Sequence, residues 1–213
     1  MYLVARIYLD LETYRPNENG AFIEEKIIAA GLLIDKTRYE TSSLERKIPP
    51  TLFCEWSGFD EKKIVSLVER QVVKALNEYR FSVVCGYNIL RFDIPLLICR
   101  SISHSKSDPN KAGRFWWEPL TIDLQQQILT SNWNMFKGTS LGNVVEVARR
   151  YNLNPPEYTE SGYTIRDLYP QQKYKEIETH LKQDLKIIRW LDLYGIRRFA
   201  ELSAEKQRPL FRD

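Results

Sequence analysis

Acidic side chains fall at three places in this sequence where they could share in binding cations. Asp10 and Glu12 follow the strand-like run VARIYL and lie two residues apart, so in an extended chain both carboxylates point to the same side. Asp93 opens a predicted helix, and His180 lies one helical turn before Asp184. Four carboxylates provide the hard oxygen ligands that Mg²⁺ and Mn²⁺ prefer. They could hold two such ions about 3.5–4 Å apart, the arrangement used for in-line displacement at phosphorus.

Each of these groups also has an ordinary structural interpretation. An Asp-x-Glu pair after a strand is most often a turn or a solvated strand end, and Asp93 beside Pro95 is a simple helix N-cap. His180 and Asp184, taken alone, form an exposed i,i+4 pair on a helix. The functional interpretation therefore depends on the combination of chain order, flanking apolar strands and spacing.

Hydrophobic periodicity predicts the elements that must position these groups. Strands are predicted over 4–9, 26–34, 53–56, 82–86 and 120–124, and helices from Asp60, over 93–103, from Ser140 and over about 176–194. We expect 104–114 to be a basic loop and 152–173 a long loop. The alternation of strands and helices after an antiparallel-looking start predicts an α/β fold, a mixed sheet with helices on both faces.

The three acidic groups resemble the three motifs of the DEDD (DnaQ-like) 3′–5′ exonuclease superfamily. The matching segments are Asp10-Leu11-Glu12-Thr13, Gly86-Tyr87-Asn88-x-x-x-Phe92-Asp93-x-Pro95-x-Leu97 and His180-x-x-x-Asp184. The second segment is most similar to the proofreading domain of family B DNA polymerases. The resemblance implies a ribonuclease-H-like mixed β-sheet flanked by helices. It also implies a free-standing exonuclease domain over residues 1–195, followed by a basic C-terminal tail over 196–213.

The resemblance implies a catalytic role for each acidic residue. Asp10 would bridge two Mg²⁺ or Mn²⁺ ions. Glu12 and Asp184 would complete the site of the ion that activates water, and Asp93 would hold the other ion. Asp123, near the end of a predicted strand, is interpreted as a plain strand terminus, with a supporting place beside the metal site as the alternative.

His180 departs from the family pattern. In the histidine subgroup the histidine lies five residues before its Asp, and a spacing of four belongs to the tyrosine subgroup. His180 occupies the tyrosine spacing, and because an imidazole is shorter than a phenol it reaches the attacking water less directly. We predict that His180 is the general base, since a neutral imidazole accepts a proton near pH 7. An orienting role, or no role, is the alternative.

Substrate contacts are implied for residues that flank the acids. These are Leu11, Thr13, Tyr87, Asn88 and Phe92. The Asn88 amide would hydrogen-bond sugar or phosphate, and Leu11 and Phe92 would wedge against the terminal bases, with core packing as the equal alternative for both.

Other aromatic and basic side chains could bind a single strand by stacking and by charge. The aromatic candidates are Tyr87, Trp116, Trp117 and Trp133, and the basic candidates are Arg91, Lys106, Lys111, Arg114 and Lys137. In the tail, the candidates are Arg197, Arg198, Lys206, Arg208 and Arg212. The alternatives are core packing for the tryptophans and a solvated face for the tail.

The implied reaction is hydrolysis of the terminal phosphodiester of a single-stranded DNA 3′ end, releasing 5′-nucleotides. The polymerase-like second motif favours DNA over RNA. An exoribonuclease of the same fold is one alternative. A nucleic-acid-binding or helicase-associated module with little activity is the other. A protein partner such as a polymerase or helicase is compatible with each of these functions.

Composition excludes several classes of protein. Of 213 residues, 43% are hydrophobic and 28% charged, which predicts a folded core. No apolar run approaches the roughly 18 residues of a membrane span, so we expect no membrane partner. Three cysteines without a CxxC pair and two histidines exclude a cysteine/histidine zinc finger and argue against a disulfide framework. A reducing, cytoplasmic location is expected. The net charge of +3 permits a polyanionic partner without requiring one.

Overall fold

Five strands form one mixed sheet in the order β3-β2-β1-β4-β5. The computed structural model describes residues 3–17, 22–38, 44–105, 108–159, 164–207 and 209–211. The strands are β1 (Leu3–Tyr14), β2 (Lys26–Arg38), β3 (Thr51–Cys54), β4 (Phe81–Gly86) and β5 (Leu120–Asp123). β2 pairs antiparallel with β1 and β3, whereas β4 pairs parallel with β1 and β5. The predicted α/β class is confirmed, and the mixed sheet with flanking helices is consistent with a ribonuclease-H-like fold.

Eight α-helices accompany the sheet in the described part of the chain. They are α1 (Glu61–Glu78), α2 (Asp93–Ser105), α3 (Pro109–Trp117), α4 (Leu124–Ser131), α5 (Leu141–Arg150), α6 (Ile165–Leu168), α7 (Tyr174–Trp190) and α8 (Ile196–Lys206). The predicted N-caps of α1 and α5 are confirmed, because Asp60 accepts a hydrogen bond from the Lys63 backbone N–H and Ser140 accepts one from that of Asn143. Within the described ranges, no helix is both long and apolar enough to cross a bilayer.

The alternation of side chains along β1 assigns the acids to one face of the sheet. Ile7 and Leu9 pack in the core beneath α1 and α2, whereas Tyr8 packs in the core on the opposite face with α5 and α7. Asp10 and Glu12 continue the face of Tyr8, because successive side chains point to opposite faces and the register of β1 shifts only after Glu12. The acids therefore lie on the face that α7 covers.

α7 approaches the sheet closely at a glycine. Gly31 of β2 pairs with Asp10 of β1. A Cβ atom at Gly31 would lie 2.6 Å from Cδ1 of Leu185 and 3.0 Å from Cγ of Leu181, both on α7. Because Gly31 has no side chain, α7 packs at a short distance from β1 and β2. This close packing brings the polar residues of α7 within reach of Asp10 and Glu12.

The structure differs from the sequence prediction in several segments, and one of them is α6, which lies within the expected long loop over 152–173. β1 continues past Asp10 to Tyr14, because β2 is long enough to pair with it throughout. The expected basic loop over 104–114 is largely helical. Asp108 caps α3 by accepting a hydrogen bond from the Asn110 backbone N–H, and Trp116 anchors the helix in the core with 1% of its surface exposed. Burial of that ring outweighs the polar composition of the segment.

The described part of the predicted tail is ordered against α4 and α7. A π-helical turn over Leu191–Gly195 joins α7 directly to α8. Phe199 of α8 is fully buried against Trp190, and Phe211 packs on Phe199 with ring centroids 5.2 Å apart. Ser203 donates a hydrogen bond of 3.2 Å to the Ser131 carbonyl oxygen at the end of α4. The division of the chain at residue 195 stays a prediction.

Candidate metal centre and active site

Four carboxylates from β1, α2 and α7, those of Asp10, Glu12, Asp93 and Asp184, act on one another by charge and form an acidic cluster. Burial is the largest cause that raises the pKa of Asp10 well above its usual range, followed by the negative charges of Asp184, Asp93 and Glu12. A backbone hydrogen bond from Leu11 only partly offsets these effects. The fold therefore brings the four predicted acids near one another.

Asp93 enters the cluster from the first turn of α2, with 4% of its surface exposed. Burial raises the pKa of Asp93 to about 8, although hydrogen bonds from its own backbone and from the backbone of Leu11 lower it. The charges of Asp123 and Glu12 are smaller contributions to this raised pKa. The contact with Leu11 joins the start of α2 to β1, so the second and first sequence motifs hold each other in place.

Asp184 enters the cluster from α7, with 7% of its surface exposed. Burial raises its pKa to about 7, the charge of His180 lowers it, and the charge of Glu12 raises it. Within the described residues, Oδ1 of Asp184 is buried and takes part in no hydrogen bond. A buried carboxylate oxygen left without a donor is suited to ligate a cation.

His180 lies between two of the acids. Its Nδ1 atom is 2.9 Å from Oε1 of Glu12 and 3.2 Å from Oδ2 of Asp184. Burial lowers the pKa of His180, but the hydrogen bond to Glu12 and the charges of Asp184 and Glu12 outweigh it and raise the pKa to about 9. Without a metal ion, an imidazolium therefore provides the positive charge that these carboxylates require. The Tyr158 ring lies beside the imidazole, with centroids 6.1 Å apart. The sequence motifs did not single out Tyr158.

The residues fit a divalent cation. Ligand atoms of Glu12, His180 and Asp184 all lie within 4.8 Å of one another. Burial and mutual repulsion raise the pKa of Asp10, Asp93 and Asp184. Such shifts mark a site that lacks positive charge, which a bound metal ion would provide. The acidic cluster could thus bind a metal ion.

The residues predicted to contact substrate have varied environments. Leu11 is buried in the core with 7% of its surface exposed, which favours the core-packing alternative. The Thr13 hydroxyl donates a hydrogen bond of 2.6 Å to Oε1 of Glu25. The Phe92 ring is half-buried and lies edge-on to Phe22, with centroids 5.7 Å apart. The substrate roles of Leu11, Thr13 and Phe92 stay predictions.

Asp123 does more than end a strand. Its Oδ1 atom accepts hydrogen bonds of 3.0 Å from the backbone N–H groups of Asn88 and Gln125, and Oδ2 accepts one of 3.1 Å from Leu90 N–H. Asp123 thereby caps α4 and also holds the β4–α2 loop, in which Asn88 has a φ of +59°. An Asp directly before a helix could have predicted the cap. No pattern in the sequence near Asp123 could have predicted its hydrogen bonds to the distant β4–α2 loop. The substrate role of Asn88 stays a prediction.

The remaining aromatic and basic candidates are divided between core and surface. Trp116 is core, whereas Trp117 and Trp133 are exposed. The Tyr87 ring is half-buried, and its hydroxyl donates to the carbonyl oxygen of Thr139. Lys106, Arg208 and Arg212 lie outside the described residues, and Arg197 and Arg198 pair with Glu201 on the surface of α8. Exposed basic side chains are contributed by Arg91, Lys111, Arg114, Lys137 and Lys206.

Comparison with known proteins finds similarity in three-dimensional structure. No family model matches the sequence, and no curated protein matches it. Among solved structures, the chain is similar to the family B DNA polymerase from the hyperthermophilic archaeon Pyrobaculum calidifontis, with a TM-score of 0.62 and 14% sequence identity. The similarity covers 97% of this chain and 26% of the polymerase, so this chain spans about a quarter of the length of that protein. At this identity the likeness shows the fold.

Proposed function

We propose that this protein is a metal-dependent 3′–5′ exonuclease that hydrolyses the terminal phosphodiester of single-stranded DNA and releases 5′-nucleotides. The observation that carries the proposal is the convergence of acids from three separate elements. Glu12, Asp93 and Asp184 are buried, their charges act on the half-buried Asp10, and ligand atoms of Glu12, His180 and Asp184 lie within 4.8 Å of one another. The similarity in fold to a family B DNA polymerase, over nearly the whole of this chain, supports an enzyme that acts on nucleic acid.

Each acid is proposed to act as a metal ligand. The charges of the other three acids raise the pKa of Asp10, which would bridge two Mg²⁺ or Mn²⁺ ions. Glu12 and Asp184 would complete one ion site, and Asp93 would hold the second ion. When bound, such a pair of ions activates a water molecule and stabilises the charge that develops on the leaving 3′ oxygen.

His180 is proposed to accept the proton of the attacking water. With no metal bound, its pKa of about 9 keeps the imidazole protonated at neutral pH. Positive charge held by Glu12 and Asp184 would oppose that proton and lower the pKa of His180. The imidazole would then be neutral, as a general base must be.

The test is an assay of nucleotide release from 3′-end-labelled single-stranded DNA with Mn²⁺. Asp10→Asn and Asp184→Asn preserve side-chain shape but remove ligand charge, and we expect both to reduce release to background. Glu176→Gln is the matched control, because Glu176 lies exposed in the first turn of α7, outside the cluster.

Three results would contradict the proposal or refine it. Release that persists unchanged in Asp10→Asn would assign the activity to another protein in the preparation. A wild-type protein that binds labelled ends but leaves them intact would indicate a binding module. Faster cleavage of a matched RNA strand than of DNA would replace the deoxyribonuclease with an exoribonuclease.

A further inference from the structure

Two exposed aromatic rings lie on the loop between α4 and α5. Trp133 is 57% exposed and Phe136 is 49% exposed, although folding ordinarily buries such large apolar side chains. The guanidinium carbon of Arg91 lies 4.7 Å from the centroid of the Phe136 ring, a cation–π contact. We infer that Trp133, Phe136 and Arg91 form a stacking platform for bases of a single strand that lie just upstream of its 3′-terminal nucleotide. This inference rests on the proposed exonuclease function.

Hydrogen bonds within the α4–α5 loop fix the backbone that carries the two exposed rings. Asn132 is fully buried, and its side-chain amide donates hydrogen bonds to the backbone carbonyl oxygens of Met135 and Lys137, the latter of 3.0 Å. Trp133 and Asn134 have φ values of +52° and +62°, a left-handed conformation that is uncommon for a residue as bulky as Trp. Strained backbone that the surroundings hold in place is concentrated at functional sites.

The platform is also tied to the candidate active site. The Tyr87 hydroxyl and Nε2 of Gln125 both donate to the carbonyl oxygen of Thr139, the latter over 3.2 Å, and Thr139 itself is fully buried. These bonds join the aromatic loop to the β4–α2 loop. Arg91 precedes Asp93 by two residues, so their Cα atoms are at most about 7 Å apart. Through Arg91, the Phe136 ring therefore contacts the segment that leads into Asp93.

The chemistry of this surface suits a single-stranded nucleic acid. Exposed aromatic faces stack with unpaired bases, and the exposed cations Arg91 and Lys137 complement phosphates. A duplex keeps its bases stacked internally, so the platform would select single strands or frayed ends. Two other exposed apolar side chains, Phe81 and Leu120, lie where β4 and β5 begin, at the end of the sheet opposite Asp10.

The experiment measures fluorescence anisotropy of a 5′-labelled oligothymidylate of about twelve nucleotides. A chelator is present so that nothing is cleaved. The platform variant combines Trp133→Asn, which tolerates the positive φ, with Phe136→Ala. The control variant combines Phe81→Ala with Leu120→Ala, two apolar side chains of similar exposure, 50% and 53%. We expect the platform variant to raise Kd about tenfold or more, and the control variant to bind like the wild type.

An abasic strand of the same length and charge separates stacking from charge. It offers no bases, so wild type and platform variant should bind it equally. Equal Kd values of the two proteins for oligothymidylate would overturn the inference. So would an equal rise in Kd for the abasic strand, which would indicate an altered fold or charge. A wild type that binds neither strand would assign the patch to another kind of partner. Wild-type protein that binds oligothymidylate more tightly than the platform variant, but releases no nucleotide in Mn²⁺, would contradict the proposed exonuclease activity and leave the stacking platform supported.

Discussion

The backbone N–H of Asn88 donates a hydrogen bond of 3.0 Å to Oδ1 of Asp123, across 35 residues of chain. This bond, with the parallel one from Leu90 N–H to Oδ2, fixes the loop that ends in Asp93 to the end of the neighbouring strand β5. A carboxylate that is outside the proposed ligand set thus determines where one proposed ligand lies.

Asp123→Ala should therefore lower the free energy of unfolding by more than the removal of a helix cap alone would. The cap of α4 is worth about 1 kcal/mol, and two loop N–H groups left without acceptors cost about 1–3 kcal/mol more. We expect the free energy of unfolding, measured in urea, to fall by about 2–4 kcal/mol. Asp60→Ala is the control, because Asp60 only caps α1 and should cost about 1 kcal/mol. Equal losses in the two variants would show that the loop bonds contribute nothing.

His180→Ala should reduce kcat for nucleotide release by about a hundredfold while leaving residual activity, because the acids still hold the metal ions. The variant should also lose the increase of rate with pH that titration of the imidazole imposes. His104→Ala is a matched control, since His104 lies at the opposite end of α2 from Asp93, with its Nε2 atom 2.8 Å from Glu61, and its exposure is close to that of His180. Equal losses in kcat for both variants would exclude a specific role for His180.

The metal-free protein should lose stability as the pH rises from about 6 to about 9. In the folded protein the pKa values of Asp184, Asp93 and His180 are raised to about 7, 8 and 9, above their usual values of 3.8, 3.8 and 6.5. The folded state thus binds these protons more tightly than the unfolded state, and the stability they contribute disappears as they dissociate. Calorimetry with a chelator should show Tm falling over this range.

Saturating Mn²⁺ should reverse that trend, because a bound cation replaces the charge of the lost protons, and its affinity should rise with pH. Asp184→Asn removes one of the repelling carboxylates, so we expect a smaller fall in Tm without metal. A metal-free Tm that rises between about pH 6 and pH 9 would show that the cluster is not the dominant titrating group.

Gly31→Ala should displace α7 from the sheet. The added Cβ would lie 2.6 Å from Leu185 and 3.0 Å from Leu181, closer than packed atoms tolerate. We expect a loss of about 1–3 kcal/mol in unfolding free energy, together with lower nuclease activity, since α7 carries both Asp184 and His180. In Gly113→Ala, on α3, the nearest atom to the new Cβ is 3.8 Å away. That variant should be more stable by about 0.5–1 kcal/mol and fully active. Full stability and activity in Gly31→Ala would contradict the close approach.

Features of the fold that follow from the strand and helix periods of the backbone could be predicted from the sequence. The alternation along β1 placed Asp10 and Glu12 on one face, helical spacing paired His180 with Asp184, and the mixed sheet followed from the order of elements. These features repeat with the geometry of the backbone itself, so each is visible within a few residues.

Contacts between distant segments were decided only by the tertiary structure. No local pattern in the sequence showed that His180 would contact Glu12 across 168 residues, although the family resemblance implied one site for both. Nor did any local pattern show that Asp123 would hold the loop before Asp93, or that Phe136 would lie against Arg91. The sequence also did not separate Trp116, which is buried, from its exposed neighbour Trp117. Such contacts depend on how the faces of the sheet and the helices pack and on how closely the helices approach the sheet. The local periodicity of the sequence carries no information about either.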